Sequence, residues 1–164
     1  MKMKKQNGFT IIELVIISAV IVILAALVLK TYASIQVRYR NTTRQNNLKT
    51  LQQTIESFYS NNGYFPNLTD LNSPSWRTKN MPSLDTSDLV DPLSQCNPAT
   101  TACLGGKDGP VKKQYEYYAT QSDGAPCNGT LGSKADQTCA QYKLFAKFEG
   151  VYNGQRYYEL QNLD

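Results

Sequence analysis

Residues 4–30 read KKQNGFTIIELVIISAVIVILAALVLK, and the rest of the chain is best read outward from them. From Phe9 to Leu29 there are 21 residues, interrupted only by Thr10, Glu13 and Ser18. At about 1.5 Å rise per residue, a helix of that length spans roughly 30 Å, the thickness of a bilayer core. A secretory signal peptide has an apolar core of about 7–15 residues followed by a small-residue cleavage site. Here Lys30 follows directly, without an Ala-x-Ala pattern, so the run reads as a membrane-spanning helix. Lys2, Lys4 and Lys5 precede it, which by the positive-inside rule leaves the N-terminus cytoplasmic and sends the C-terminus out.

Composition narrows the function classes. The chain has 164 residues, 17 Lys+Arg, 13 Asp+Glu and a formal charge of +4. Without the first eight residues the balance is 14 basic to 13 acidic, so bulk charge does not call for a nucleic-acid partner. Histidine is absent, which excludes His-based triads, His metal sites and a His pH switch. No nucleophile motif or convergent acid pair suggests an enzyme.

Glu13 is the anomaly in the apolar run. A carboxylate at the bilayer centre costs about 2.5–3.5 kcal/mol on insertion scales. Glu13 lies only four residues after Phe9, about 6 Å along the axis, so it can snorkel to the headgroups. The alternative is that it waits for a positive partner within the membrane.

Taken together, Lys4-Lys5-Gln6-Asn7-Gly8, Phe9-Thr10, the aliphatics Ile11 and Ile12, Glu13 and the spanning helix resemble the class III signal of type IV prepilins and pseudopilins. The resemblance implies that a membrane-embedded aspartyl prepilin peptidase cuts after Gly8. It also implies that Phe9 is then N-methylated and that Phe9 and Glu13 serve subunit assembly. The family often carries Pro and Gly at the positions of Lys30 and Val22; this chain does not, so no Pro-driven kink is expected near Lys30.

Between Thr31 and Asn61 there is no proline or glycine. Leu48, Leu51, Ile55, Phe58 and Tyr59 form one apolar stripe at helical spacing, with Arg38, Arg40, Arg44 and Lys49 as a basic polar face. Asn61-Asn62-Gly63 supplies a C-cap. Residues 66–114 are rich in Pro, Ser, Asn, Asp and Thr and read as loops, with short helical turns near Leu68–Leu71 and Leu84–Val90. Strands are expected at Tyr115–Thr120, Gln141–Glu149 and Arg156–Leu160, the last two joined through Asn153-Gly154.

The expected architecture is therefore α+β and pilin-like. A long N-terminal helix, half transmembrane and half amphipathic, packs on an antiparallel sheet of three to four strands. The divisions are a leader over 1–8, a filament-core helix over 9–30 and a head over 31–164. The head comprises an amphipathic helix (31–61), a loop region (62–114) and an antiparallel sheet (115–164).

Cys96, Cys103, Cys127 and Cys139 all follow the membrane segment, and an even count on the exported side favours disulfides over a zinc site. Of the three pairings, Cys96–Cys103 and Cys127–Cys139 are expected, since each closes a local Gly/Pro/Asn-rich loop. The family resemblance suggests that the second encloses a surface loop. Asp85, Asp88 and Asp91 recur every third residue. They read as a solvated face before a calcium site, because the spacing matches no EF-hand. No other cofactor is expected.

The resemblance implies a structural subunit of a type IV pilus and not an enzyme. Its implied partners are copies of itself, the prepilin peptidase, an inner-membrane platform protein and an assembly ATPase. It would sit in membrane lipid before assembly and in an extracellular pilus afterwards, where DNA or a host surface is a compatible ligand. A pseudopilin of a secretion or competence system is the first alternative. A signal-anchored extracytoplasmic domain is the second.

Overall fold

The computed structural model describes residues 8–127 and 139–163. It divides the chain into two compact units, residues 1–38 and 39–164. One helix, α1 (Ile11–Asn62), contributes to both. It contains no Pro or Gly and runs without interruption through Val22–Lys30, as the absence of breakers predicts.

Within the first unit, α1 is apolar on every side from Ile11 to Leu29, and none of these side chains is buried. Fifteen large hydrophobic side chains between Phe9 and Leu29 are exposed. At about 1.5–3 kcal/mol per side chain, covering them is worth roughly 20–45 kcal/mol. That exceeds the whole stability of an ordinary domain, about 5–15 kcal/mol. This unit therefore requires an apolar surrounding supplied by lipid or protein.

Within the second unit, α1 is amphipathic. Leu48, Leu51 and Ile55 are fully buried and Phe58 nearly so, whereas Tyr59 is half exposed and stacks on Phe65 at 4.3 Å between ring centroids. The helix stops where Gly63, at φ +75°, takes the left-handed conformation and donates its N–H to Tyr59 O. After it come α2 (Leu68–Asn72), α3 (Pro74–Asn80) and a 3-10 turn over Thr86–Leu89. Asn67, Ser73 and Asp85 cap these in turn, each side chain accepting a backbone N–H. The sequence reading found α2 and the 3-10 turn but not α3. Its signal was Ser73-Pro74, an N-cap followed by Pro at the first helical position.

The sheet has four strands in the order β1 (Leu104–Gly105), β2 (Tyr115–Thr120), β3 (Gln141–Tyr152) and β4 (Gln155–Gln161). The β2–β3 and β3–β4 pairs are antiparallel, as expected, but β1 runs parallel to β2. The sheet is thus mixed and begins before residue 115. β1 is only two residues long, too short for an alternating pattern to announce it. Asn153 (φ +50°) and Gly154 (φ +80°) form the two-residue turn between β3 and β4, with Tyr152 opposite Gln155. The β3–β4 register shifts between Lys147 and Tyr152, and Glu149 lies in that bulge.

Alternation on β3 sends Tyr142, Leu144, Ala146 and Phe148 inward; the first three join α1's stripe, Phe65, Leu71, Tyr115 and Tyr117 in the core. Two disulfides, Cys96–Cys103 and Cys127–Cys139, have Cα–Cα distances of 5.6 and 5.9 Å. Cys139 also bridges Phe65, whose N–H donates to Cys139 O, so the second disulfide lies beside the helix end. The loop that it encloses, residues 128–138, lies outside the described residues.

Candidate functional site

Gly8 and Phe9 lie outside regular secondary structure, separated from α1 by Thr10. A Cβ at Gly8 would meet nothing within 4 Å, so packing does not demand a glycine there. Phe9 is 76% exposed. The leader lysines, Lys2, Lys4 and Lys5, lie outside the described residues.

Thr10 and Glu13 pair with each other. The Glu13 carboxylate accepts from the Thr10 N–H and from its hydroxyl, both at 3.4 Å. The Glu13 N–H in turn donates to Thr10 Oγ1 at 3.3 Å. This is a reciprocal capping box: Thr10 is the N-cap and Glu13 the third helical residue. Two of the four N–H groups left free at a helix start are thereby satisfied, and the carboxylate sits at the positive end of the helix dipole. Thr10 was overlooked as a functional residue in the sequence reading, although Thr-x-x-Glu before an apolar run is itself a capping-box signature. Glu13 is therefore not idle in the apolar run: its own chain already gives it donors. A carboxylate has further acceptor capacity, so it can still receive a cation from elsewhere.

A second polar cluster organises the residue 39–164 unit. Arg44 is 1% exposed. Its Nε and Nη2 donate to the two carboxylate oxygens of Asp91 at 2.6 and 3.0 Å, and its Nη1 donates to Glu149 at 2.9 Å and to Asn41 Oδ1 at 2.8 Å. Arg40 forks onto both oxygens of Glu149, each at 2.6 Å. Asn41 completes the set by accepting the Glu149 N–H at 3.1 Å. The bulge in β3 thus aims a carboxylate at two arginines one helical turn apart. Hydrogen bonds from Arg40, opposed by partial burial and reinforced by Arg44, hold the Glu149 carboxyl down at about 2.

The aspartate run is corrected by this arrangement. Asp85 caps the 3-10 turn, and Asp91 is 1% exposed and bound by Arg44, so the three do not form one solvated face. Arg44 likewise leaves the expected basic polar face. Among the described residues no group of three or more His, Cys, Asp or Glu gathers in a way that could hold a metal ion.

A helix that is apolar all round, opened by a Thr-Glu capping box just after Gly-Phe, and a small mixed sheet against its amphipathic half make an α+β architecture of the pilin-like kind. Residues 3–29 match the family described as the prokaryotic N-terminal methylation motif. The chain is also similar to the type IV major pilin protein PilA of Myxococcus xanthus (strain DK1622), 39% identical over 56 residues. Those residues are 34% of this chain and 26% of that protein, so the likeness spans about a quarter of the relative's length. No solved structure matches the chain.

Proposed function

We propose that this chain is a structural subunit of a type IV pilus, is not an enzyme, and polymerises through its N-terminal helix after its leader is removed. The observation that carries this reading is the methylation motif over residues 3–29 on a helix start that leaves its apolar surface wholly uncovered. Cleavage after Gly8 creates an ammonium on Phe9. In a lipid-like interior an unpaired charge is heavily penalised, and a paired one much less. The Glu13 carboxylate of a neighbouring copy offers that pairing, so the penalty selects the register between subunits. The same cleavage removes Lys2, Lys4 and Lys5, each worth about 1 kcal/mol of attraction to an anionic cytoplasmic leaflet. The partners of this reading are copies of the chain, the prepilin peptidase, the platform protein and the assembly ATPase. The site is the inner membrane first and the extracellular pilus afterwards, where DNA or a host surface is the external ligand.

Intact mass and N-terminal sequencing of the protein from its own cells test the processing. A start at N-methyl-Phe9 with both disulfides formed supports the reading, and retention of Met1 overturns it. Immunogold electron microscopy tests the role. Surface filaments labelled along their length at native expression support a major pilin. A pseudopilin, favoured by the lack of Pro and Gly at Lys30 and Val22, would give filaments only on overproduction.

A further inference from the structure

The sequence holds four Asn-Gly pairs, and two of them, Asn62-Gly63 and Asn153-Gly154, lie wholly within the described residues. Asparagine before glycine is open to an intramolecular reaction, because no side chain on the second residue shields its backbone nitrogen. The fold treats the two pairs differently. Asn62 is the last residue of α1. Its Nδ2 donates to Phe58 O at 2.8 Å, and the Gly63 N–H donates to Tyr59 O at 2.7 Å. The leaving group and the attacking nitrogen are therefore both held. Asn153 and Gly154 are instead the exposed tip of the β3–β4 hairpin. Among the described residues, neither the Asn153 side-chain amide nor the Gly154 N–H has a hydrogen-bond partner. A Cβ on Gly154 would meet nothing within 4 Å, so nothing packs over that nitrogen.

We propose that Asn153 is a self-modification site, which converts to isoaspartate and aspartate at the hairpin tip while Asn62 is protected. The Gly154 nitrogen loses its proton to hydroxide and attacks Cγ of Asn153. The N–Cγ bond forms, the Cγ–Nδ2 bond breaks, and Nδ2 takes a proton from water and leaves as ammonia. Water then opens the succinimide ring. Attack at Cγ gives aspartate, and attack at the main-chain carbonyl carbon of Asn153 gives isoaspartate, whose backbone runs through the side chain. Water and hydroxide are the only co-reactants, and nothing is oxidised or reduced. Reaching the attack geometry requires rotation about Asn153, which at a hairpin tip costs only local fraying. At Asn62 the last turn of α1 must open, and that turn carries the buried Phe58. Isoaspartate adds a methylene to a two-residue turn in which both residues hold left-handed φ, so the Tyr152–Gln155 pairing is expected to be lost.

The test incubates the full-length chain in detergent, warm and at mildly alkaline pH. Tryptic mapping by mass spectrometry follows the amide turning into acid, and electron-transfer fragmentation tells isoaspartate from aspartate. Asn153 falls in the peptide over residues 148–156, apart from the other three Asn-Gly pairs. Asn153 is expected to convert at least about tenfold faster than Asn62. In urea strong enough to unfold the residue 39–164 unit, the two rates should converge to within about threefold, since only local sequence then acts. No conversion at Asn153, or equal rates in the folded protein, overturns the proposal. A tenfold gap that persists in urea overturns it as well, because neighbouring residues and not the fold would then set the difference.

Discussion

Arg44 and Asp91 show what burial does to a charged pair when geometry is good. Asp91 takes both of its oxygens to Arg44 and accepts the Leu93 N–H as well, so removing it leaves a buried guanidinium with only the more exposed Glu149 as a countercharge among the described residues. Asp91→Ala is expected to destabilise the residue 39–164 unit by about 3–5 kcal/mol. Arg44→Leu combined with Asp91→Leu should recover most of that loss, because apolar replacements of a buried pair are often neutral. Urea unfolding followed by the fluorescence of Trp76, the single tryptophan, measures both; a double variant as unstable as Asp91→Ala would refute the pairing account. Glu149 gives a pH prediction with a definite sign. Its folded value of about 2 lies below the ordinary 4.5. Its contribution to stability is therefore complete above about pH 4.5 and is lost as the pH falls towards about 2. Glu149→Gln should lower the urea midpoint at neutral pH and make the acid decline between about pH 5 and pH 2 shallower. A variant that declines as steeply as the parent would show that other groups drive that decline.

β1 depends on a close approach that only glycine permits. A Cβ on Gly105 would collide with the carboxylate of Glu116 on β2. Glu116 is 1% exposed and is held by the Lys107 N–H at 2.8 Å, so it has little room to yield. Burial pushes the Glu116 carboxyl above its ordinary range, with the Lys107 N–H pulling it partly back. Gly105→Ala should lower the stability of the unit by about 1–3 kcal/mol, as overpacking does. Gly105→Ala with Glu116→Ala should lose less than the sum of the two single changes, since the collision is then absent. Additive losses in the same urea measurement would place the strain elsewhere. α1 was legible because its signals are local: an apolar run, a 3.6-residue stripe and Asn-Gly at the end. β3 and β4 were legible from alternation and from Asn153-Gly154. β1 was not, since two residues carry no period and its parallel partner lies eleven residues further on.

At the scale of the molecule, the two units have opposite relations to water. Residues 9–29 bury nothing, while the hydrophobic core of residues 39–164 is drawn from positions 48 onward. The full chain is therefore expected to need detergent. Removal of residues 1–30 should release the rest of the chain into plain buffer as a monomer in sedimentation, with the Trp76 urea midpoint unchanged. A shifted midpoint would show that the apolar residues also stabilise the other unit. The sequence by itself determined the long apolar helix and the helix-plus-sheet class, because each is written in neighbouring residues with a fixed period or spacing. It also held the Thr10–Glu13 box in plain form. The tertiary structure alone decided that Arg44 and Asp91 are core residues and not a solvated face. Their contact joins positions 47 apart, and the Arg44–Glu149 contact joins positions 105 apart. The same holds for Arg77, which is buried and donates to the carbonyls of Leu71 and Pro98. A charged side chain is inside or outside according to what distant segments place around it, and no local pattern in the chain records that.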